Sequence, residues 1–268
     1  MKQILIYVGL LVVISLGVLI WQTFPAEISA PSEDSSLSNI TTRGTLVVGS
    51  DIPYGVMEFL DEANTPQGID IDIARSIAKK LGVSMETKDL PWDQLFVSLE
   101  KGDIDIALSS ITITPERGKE MLFSIPYFNG GQSIVAQKDD KNITSLESLK
   151  DKKVGVQVDT TGDTLARAHD ASVITYPTVD DNPDATSGIV VDLKQGELNA
   201  AIVDYIAAIS IVKKHPTLHI VGTPITQEYY GIAARKGSDS LVAAIDSHLR
   251  KMKDSGELKT IVDSWVRP

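Results

Sequence analysis

The chain has 268 residues, of which 43% are hydrophobic and 23% are charged, so it can bury the core of one large domain or of two smaller lobes. A formal net charge of -11 and the lack of a basic stripe argue against a nucleic-acid partner, because phosphate backbones bind positively charged surfaces. The chain has no cysteine, which excludes disulfides, thiolate metal sites and lipid attachment through cysteine.

The N-terminus has the pattern of a targeting segment. Lys2 precedes an apolar run over residues 4–21 that contains no charged residue. A run of about 18 apolar residues is long for a signal peptide and short for a spanning helix. We predict a cleaved signal peptide or a retained membrane anchor over residues 1–24, and either one places the rest of the chain in the periplasm or on the extracytoplasmic face of the membrane. The composition of residues 25–41 is typical of a flexible linker, so the folded part is predicted to begin near Thr42.

The first half of the folded part repeats one pattern: a β-rich run, then a polar cluster, then an amphipathic helix. Two helices are predicted to begin at Asp70 and Trp92 and to stop at Gly82 and Gly102, because glycine favours the left-handed conformation that ends a helix. The predicted strands of this half are 45–49, 84–88 and 103–108. Strands that alternate with helices indicate a largely parallel sheet with right-handed crossovers.

The pattern restarts after Tyr127, which indicates a second lobe. Its predicted strands are 133–137, 153–158, 172–176 and 199–203, and its predicted helices are 146–149, 163–169 and 205–212. One strand at 230–235 and two amphipathic helices complete the chain. We therefore predict an α/β fold of two lobes, with residues 42–130 and 229–268 in the first lobe and residues 131–228 in the second.

Polar clusters follow four of the predicted strands, at the positions where open α/β sheets bind ligands. The clusters are Asp51–Tyr54, Ser109–Arg117, Asp159–Thr161 and Asp204. The sharpest signal is Arg117, which would lie in the first turn of a helix that begins at Thr114, where the helix dipole disfavours a cation. A bound carboxylate would explain this placement, because the hydroxyls of Ser110 and Thr112 and a bidentate guanidinium suit an anion. A surface arginine paired with a neighbouring glutamate is the alternative.

The other candidates each have a structural and a functional interpretation. Asp204 is either the N-cap of the following helix or a buried carboxylate that binds an ammonium group. Thr160 and Thr161 either cap the helix after them or bind a ligand carboxylate from the opposite lobe. Trp92 and Tyr54 are typical core residues, although Trp92 begins a helix, where one ring face could remain open.

The sequence favours neither a metal site nor an enzyme. The four histidines are scattered, and Pro216 interrupts a helical pairing of His215 with His219. The sequence contains no G-x-S-x-G, P-loop or G-x-G-x-x-G motif. We expect no metal, no cofactor and no catalytic residue, and the acidic loop at Asp180–Ser187 has no chemistry that we can assign.

Several stretches of the chain resemble the amino-acid-binding proteins of ABC importers, which are type II periplasmic binding proteins of extracellular solute-binding family 3. The most specific stretch is Trp92–Phe128, which reads WDQLFVSLEKGDIDIALSSITITPERGKEMLFSIPYF. The others are Gly44–Tyr54, Gly68–Val83, Lys152–Thr164, Gly196–Asp204 and Tyr230–Gly237. The resemblance covers residues 44–265 and implies two lobes joined by crossing strands near 130–133 and 227–231. It also implies a monomer that works with an ABC transporter permease.

The resemblance implies roles for individual residues. Arg117 and Asp204 match the residues that bind the α-carboxylate and the α-ammonium group of the ligand. Ser110 and Thr112 would add contacts to both the α-carboxylate and the α-ammonium group, and Thr160 and Thr161 would reach the α-carboxylate from the second lobe. The residues that would surround the ligand side chain are Asp51, Tyr54 and Trp92. An acidic group beside aromatic rings favours a cation, so we expect lysine, arginine, histidine or ornithine ahead of glutamine.

Three features depart from the family pattern. Val56-Met57 stands where Pro-Phe is common, Asp159 replaces a common glycine, and the loop at Asp180–Ser187 is longer than usual. Two other functions remain open. The chain could be an exported cyclohexadienyl (arogenate) dehydratase in which Asp159 is the general acid, or a tethered sensor that reports an amino acid to a membrane partner.

Overall fold

The computed structural model describes residues 34–177 and 185–266. The predicted signal peptide or anchor over residues 1–24 lies outside the described residues, as do residues 180–184 of the acidic loop. Among the helices of the two described ranges, none combines the length and the hydrophobicity that crossing a membrane requires.

A five-stranded mixed sheet forms the first lobe. Its strands, numbered in chain order and given across the sheet, are β4 (Ser84–Asp89), β1 (Thr45–Ser50), β5 (Ile106–Ala107), β14 (Ala233–Arg235) and β6 (Met121–Phe123). β1 is parallel to β4 and β5, as the alternation of strands and helices predicted. β14 is antiparallel to β5 and β6.

Helices cover this sheet and bury apolar stripes against it. They are α2 (Ile69–Leu81), α3 (Trp92–Lys101), α8 (Asp239–Ser255) and α9 (Glu257–Val266). α2 packs Ile73 and Ile77 into the core that contains Leu46 and Val48 of β1. Each buried aliphatic side chain of this kind contributes about 2 kcal/mol of hydrophobic stabilisation. A small hairpin of β2 (Phe59–Leu60) and β3 (Pro66–Gln67) precedes α2.

A second five-stranded sheet forms the second lobe. Across the sheet the strands are β10 (Ser172–Tyr176), β9 (Lys153–Gln157), β11 (Ala200–Asp204), β8 (Gln132–Gln137) and β12 (Leu218–Val221). β9 is parallel to β10 and β11, whereas β8 is antiparallel to β11 and β12. The surrounding helices are α5 (Thr161–Ala168), α6 (Ala185–Gln195), α7 (Tyr205–Lys214) and a 3-10 turn at Glu147–Leu149.

The chain passes between the two sheets through one short antiparallel pair, β7 (Phe128–Gly130) with β13 (Glu228–Tyr230). The rings of Phe128 and Tyr230 stack with their centroids 5.6 Å apart. Gly130 faces the Tyr230 ring so closely that an added Cβ would lie 2.4 Å from its hydroxyl oxygen. A side chain at position 130 would therefore displace the tyrosine from the crossing.

The prediction of a linker up to residue 41 is wrong for its last residues, which form the helix α1 (Ser36–Arg43). Leu37 and Ile40 occupy one face of α1; Ile40 is buried, and Leu37 packs against the same core. The backbone of Gly44 ends the helix in the left-handed conformation, with φ 77°. Two apolar residues and a glycine stop are enough to fold this segment onto α8, where the hydroxyls of Ser36 and Ser240 lie 3.1 Å apart.

The strand predicted over residues 230–235 is interrupted, because the run serves two sheets. Its first part belongs to β13 and its last part to β14, and between them the Gly231 amide donates to the carbonyl of Ile111. α6 was not predicted, and it includes residues 185–187 of the expected acidic loop. Strand 103–108 is reduced to the two residues of β5.

The helix that was predicted to begin at Thr114 is shorter in the structure than expected. The helix α4 (Arg117–Glu120) has only four residues and begins at Arg117. Thr114 still initiates the turn, since its Oγ1 accepts the Arg117 amide at 3.2 Å and its carbonyl accepts the Gly118 amide at 2.9 Å. The predicted capping role of Thr114 therefore holds, although the regular helix starts later.

Candidate functional site

One cavity lies where strands of both lobes end. All nine candidate residues from the sequence are among the sixteen residues that line it. The lining residues are Asp51, Tyr54, Trp92, Ser109, Ser110, Thr112, Arg117, Gln132, Gln157, Thr160, Thr161, Thr186, Ile189, Ile202, Val203 and Asp204. The space between these residues is about 530 Å³, a volume that includes solvent at the open side of the cavity.

Arg117 presents a constrained guanidinium to this cavity. Its carbon Cζ lies 5.3 Å from the ring centroid of Trp92 and 5.6 Å from that of Phe96. Nη1 donates to the carbonyl of Thr112 at 3.0 Å, and Nη2 donates across the cleft to the carbonyl of Asp159 at 3.2 Å. Stacking and two carbonyl contacts hold the guanidinium plane in one orientation, which suits bidentate binding of an anion.

The charge of Arg117 lacks an ionic partner within the described part of the chain. None of the ion pairs there involves Arg117, so the alternative pairing with a neighbouring glutamate is wrong. Burial lowers the pKa of Arg117, and the negative charges of Asp204 and Glu228 oppose this shift. A guanidinium remains protonated at neutral pH, so the site holds a partly desolvated positive charge.

Ser110 and Thr112 extend the site from the loop after β5. Ser110 has a left-handed backbone conformation, with φ 51°, and its Oγ is buried with no hydrogen-bond partner among the described residues. A buried hydroxyl without a partner costs about 1–3 kcal/mol, which a ligand oxygen or nitrogen would recover. The Thr112 hydroxyl donates to Glu228 Oε2 at 2.7 Å.

Asp204 presents a buried carboxylate from the end of β11. It precedes α7, but its side chain makes no N-cap hydrogen bond, so the capping interpretation is wrong. Its Oδ1 instead accepts a close hydrogen bond from Gln132 Nε2, and it also interacts with the hydroxyl of Tyr54. Burial, with a smaller contribution from the charge of Glu228, raises the pKa of Asp204 to about 6, and the hydrogen bond from Tyr54 opposes this shift.

Thr160 and Thr161 make different contacts. Thr160 is the N-cap of α5, because its Oγ1 accepts the amide of Asp163 at 3.2 Å. Thr161 does not cap the helix. Its hydroxyl donates to Glu228 Oε2 at 2.9 Å and accepts from Gln132 Nε2 at 3.1 Å.

Asp51 contacts the second lobe directly. It is buried, its amide donates to Ser109 Oγ at 3.0 Å, and its Oδ2 accepts from Gln157 Nε2 at 3.0 Å. Val56 and Met57, which depart from the family pattern, pack on the core of the first lobe and do not line the cavity. Val56 and Met57, which stand in place of the common Pro-Phe, therefore affect the core against which Tyr54 packs. Asp51 and Tyr54 line the cavity themselves.

The polar residues of the site that the sequence analysis missed include Gln132, Gln157 and Glu228. Gln132 is the register partner of Asp204 in the antiparallel pairing of β8 with β11. Glu228 pairs with Gly130 at the crossing between the lobes. In the sequence, each of them is only a polar residue at one end of a strand. The residues that they contact lie far away along the chain, so their role depends on strand pairing that the sequence alone does not show.

The described residues contain no cluster of three or more His, Asp or Glu side chains placed to hold a metal ion. Instead, the cavity combines a cation from the first lobe with a buried carboxylate from the second. Between them lie hydroxyl and amide groups that both donate and accept hydrogen bonds. This arrangement can bind a small solute that carries one negative and one positive group.

Residues 46–268 match the family model described as bacterial extracellular solute-binding proteins, family 3. The chain is 31% identical to the L-cystine-binding protein TcyJ of Escherichia coli strain K12, over 87% of each chain. It is 39% identical to a solved ancestral arginine-binding protein bound to glutamine, with a TM-score of 0.77 over 84% of this chain and 98% of that one. It is 34% identical to the ancestral amino-acid-binding protein AncCDT-1, described as a precursor of cyclohexadienyl dehydratase, with a TM-score of 0.79 over 87% and 100%.

Proposed function

Because the chain belongs to the bacterial extracellular solute-binding proteins of family 3, we propose that it binds a free L-amino acid between its lobes for an ABC transporter. The family and the two-lobed α/β fold predicted from the sequence are confirmed. The observation that carries the proposal is the convergence of Arg117 and Asp204, from different lobes, on one cavity. Arg117 binds the α-carboxylate and Asp204 binds the α-ammonium group.

The charge arrangement selects an α-amino acid over a simple carboxylate or a sugar. A carboxylate alone would leave Asp204 buried without a cation, and a neutral sugar would leave both charges uncompensated. The zwitterion neutralises both groups at once. The hydroxyls of Ser110 and Thr161 supply further hydrogen bonds between the two poles.

The ligand side chain is directed toward Asp51, Gln157 and the ring of Trp92. Asp51 is a buried carboxylate, which favours a basic side chain, and the amide of Gln157 lies beside it. The relatives are named for cystine, for arginine and for an arginine-binding protein that holds glutamine. Lysine, arginine, histidine or ornithine is therefore proposed ahead of glutamine.

Closure of the two lobes is the proposed mechanism, and the β7–β13 crossing is the proposed hinge. The proposed lobes comprise residues 36–130 with 229–268, and residues 131–228, because α1 packs on the core of the first lobe. Hydrogen bonds between the lobes join Arg117 to Asp159 and Gln157 to Asp51. An amino acid that touches both lobes stabilises the closed form by its differential affinity, and the transporter recognises that form. The protein works as a monomer at the extracytoplasmic face, tethered there if residues 4–21 are retained.

Enzymatic dehydration is the weaker alternative. AncCDT-1 is named as a precursor of a dehydratase, but it is itself described as an amino-acid-binding protein. Asp159, the conceivable general acid, is exposed and lines a neighbouring surface groove rather than the main cavity. Its backbone carbonyl accepts a hydrogen bond from Arg117 at 3.2 Å. The proposal is therefore a binding protein without catalysis.

A ligand screen tests the proposed function. We expect one or more basic amino acids or glutamine, at about 100 times Kd, to stabilise the protein by about 2.7 kcal/mol, which raises Tm by about 5–10 °C. Thermal shift with the twenty amino acids and ornithine, followed by isothermal titration calorimetry, measures the effect. A panel with no stabilising amino acid would contradict the proposal, and turnover of prephenate or arogenate would favour the dehydratase. Ligand-dependent association with a signalling protein, and not with a permease, would favour the sensor.

A second prediction concerns Glu228, which accepts hydroxyls from Thr112 of the first lobe and Thr161 of the second. Thr161→Val removes one of these two hydrogen bonds to Glu228 and one hydroxyl from the cavity. Hydrogen bonds to charged groups contribute about 1.5–3 kcal/mol, so we expect the affinity for the amino acid to fall by about tenfold or more. The control is Thr164→Val on the same helix, because Thr164 is exposed and lies outside the main cavity. Calorimetry that finds equal affinities for the two variants would contradict the role of Thr161.

A further inference from the structure

Two carboxyl groups lie completely buried behind the wall of the cavity. Glu58 and Asp70 each have 0% of their surface exposed. Their side chains are within hydrogen-bonding reach of each other, and the amide of Asp70, in the first turn of α2, donates to the carbonyl of Met57 at 3.0 Å. Neither carboxyl takes part in an ion pair among the described residues. Two ionised carboxylates in such a place would carry a large desolvation and repulsion cost.

One oxygen of each carboxyl accepts a hydrogen bond from a residue that lines the cavity. Glu58 Oε1 accepts the hydroxyl of Ser109 at 2.7 Å, and Ser109 Oγ in turn accepts the amide of Asp51 at 3.0 Å. Asp70 Oδ2 accepts the amide of Ser110 at 2.8 Å and the hydroxyl of Tyr127 at 3.0 Å. Both carboxyls therefore hold the backbone and side chains of the ligand-binding loops.

The other two oxygens, Glu58 Oε2 and Asp70 Oδ1, are buried and lack a donor among the described residues. Ionised carboxylates can only accept hydrogen bonds, so both oxygens would be left unsatisfied. A single proton between the two groups satisfies both. It makes one carboxyl a donor and leaves one negative charge.

We propose that Glu58 and Asp70 share one proton at neutral pH, carried on Glu58 Oε2 and donated to Asp70 Oδ1. The pair then acts as a positioning unit. It fixes the loop that presents Ser109 and Ser110 to the ligand and anchors the amide of Asp51. This role rests on the proposed amino-acid binding, whereas the protonation of the pair does not.

The hydrogen-bond pattern assigns the proton to Glu58. Asp70 accepts two donors and lies in the first turn of a 13-residue helix, where the dipole favours a negative charge, whereas Glu58 accepts one donor from a side chain. Burial raises the pKa of Glu58 well above its usual range, and the charge of Asp70 raises it further. Burial raises the pKa of Asp70 to about 7, and the hydrogen bond from the Ser110 amide opposes that shift.

Other charged groups near the pair act in the same direction. The negative charges of Asp51 and Asp204 both raise the pKa of Glu58. The phenols of Tyr54 and Tyr127 face the pair and have pKa values raised well above their usual range by burial, so both remain neutral donors. The surroundings of Glu58 therefore contribute negative charge and neutral hydroxyls, which favours retention of its proton.

Infrared spectroscopy of the ligand-free protein at pH 8 tests the protonation state. We expect a carboxylic-acid C=O band that shifts when glutamate is labelled with 13C, does not shift when aspartate is labelled, and disappears in Glu58→Gln. Glu86→Gln is the control, since Glu86 is exposed on the edge strand β4 and should leave the band unchanged. The absence of a protonated carboxyl, or a band that follows only the aspartate label, would overturn the assignment. This result does not depend on whether the protein binds an amino acid.

Ligand titration tests the positioning role. Glu58→Leu cannot donate to Asp70 or accept from Ser109, and we expect it to lower the affinity for the amino acid by at least tenfold. Glu58→Gln offers an amide donor to Asp70 and an oxygen acceptor to Ser109, so we expect it to recover at least tenfold relative to Glu58→Leu. Equal affinities of the two variants would overturn the role.

The pH dependence of unfolding gives a second readout, which remains usable if Glu58→Leu fails to fold. A raised carboxyl pKa in the native state contributes stability that is present below the unfolded-state pKa and is lost as the pH rises through the native pKa. Wild-type stability should therefore decline above about pH 4.5, the ordinary pKa of glutamate, by up to tenfold in the folding constant per pH unit per proton. The slope of stability against pH reports the number of protons that the native state binds in excess of the unfolded state. In Glu58→Gln this number should fall by one, and an unchanged slope would overturn the proposal.

Discussion

Arg117→Ala is expected to weaken amino-acid binding by about 30-fold to several thousand-fold, the largest effect of any single substitution in the site. Removing one partner of a desolvated charge pair typically costs about 2–5 kcal/mol, because the other charge stays buried without its partner. Here the group left behind is the ligand carboxylate, which would face the carbonyls of Thr112 and Asp159. Isothermal titration calorimetry with the best amino acid of the screen measures the loss.

Arg117→Lys separates the charge from the geometry. Lysine keeps the positive charge but loses the planar fork, and its ammonium group cannot stack on Trp92 and Phe96 as the guanidinium does. We expect an affinity between those of the wild type and Arg117→Ala. The control is Arg250→Ala, because Arg250 is an exposed partner of Asp246 on α8 and does not line the cavity.

The outcome that would contradict this prediction is an affinity of Arg117→Ala within threefold of the wild type. Circular dichroism and the Tm of the ligand-free variants must accompany the titrations. Arg117 is half-buried and contributes contacts across the cleft, so some loss of ligand-free stability is expected. A variant that retains its fold but loses the ligand would support the binding role directly.

The sequence predicted the charged poles of the site better than the groups that hold them. Arg117 was recognisable because a cation in the first turn of a helix is locally unfavourable, and such a conflict marks a functional position. Asp204 was recognisable because an apolar strand ends in a carboxylate. Both signals are contained in a few consecutive residues, and so is the alternation of strands and helices that gave the α/β fold.

The supporting groups depend on tertiary register. Gln132 reaches Asp204 only because β8 and β11 pair in antiparallel register, and Glu228 reaches Thr161 only because β13 pairs with β7 at the crossing. Glu58 has no local signal at all, since a glutamate between Met57 and Phe59 is indistinguishable in sequence from a surface residue. Its burial follows from the way α2 closes over the preceding loop.

Asp204→Asn is expected to cause the second large loss of amino-acid affinity. The titration of the Asp204 carboxyl also predicts how the affinity of the wild type depends on pH. Burial raises the pKa of Asp204 in the ligand-free protein to about 6. The ligand ammonium group interacts favourably only with the ionised form, so binding must remove the proton wherever Asp204 is protonated. Affinity should therefore be constant above about pH 7 and fall below about pH 6, by up to tenfold per pH unit.

Asp204→Asn should lower the affinity at pH 8 by about 30-fold or more and should also flatten this profile. The ligand must not titrate near pH 6, so arginine, lysine or glutamine is suitable and histidine is not. Calorimetry in buffers of different ionisation enthalpy counts the proton released by the wild type below pH 6. A pH profile in Asp204→Asn that matches the wild type would assign the titration to another group.

The same carboxyl has opposite effects on the stability of the free protein and on ligand affinity. The native pKa of Asp204 is raised from 3.8 to about 6, so its contribution to stability is present below pH 3.8 and is lost as the pH rises through 6. Affinity increases over the same interval, because deprotonation creates the partner of the ammonium group. The rise in Tm caused by a fixed concentration of ligand should therefore grow from pH 5 to pH 7 in the wild type. That growth should be absent in Asp204→Asn, because asparagine cannot ionise and the energy of binding is no longer linked to its proton.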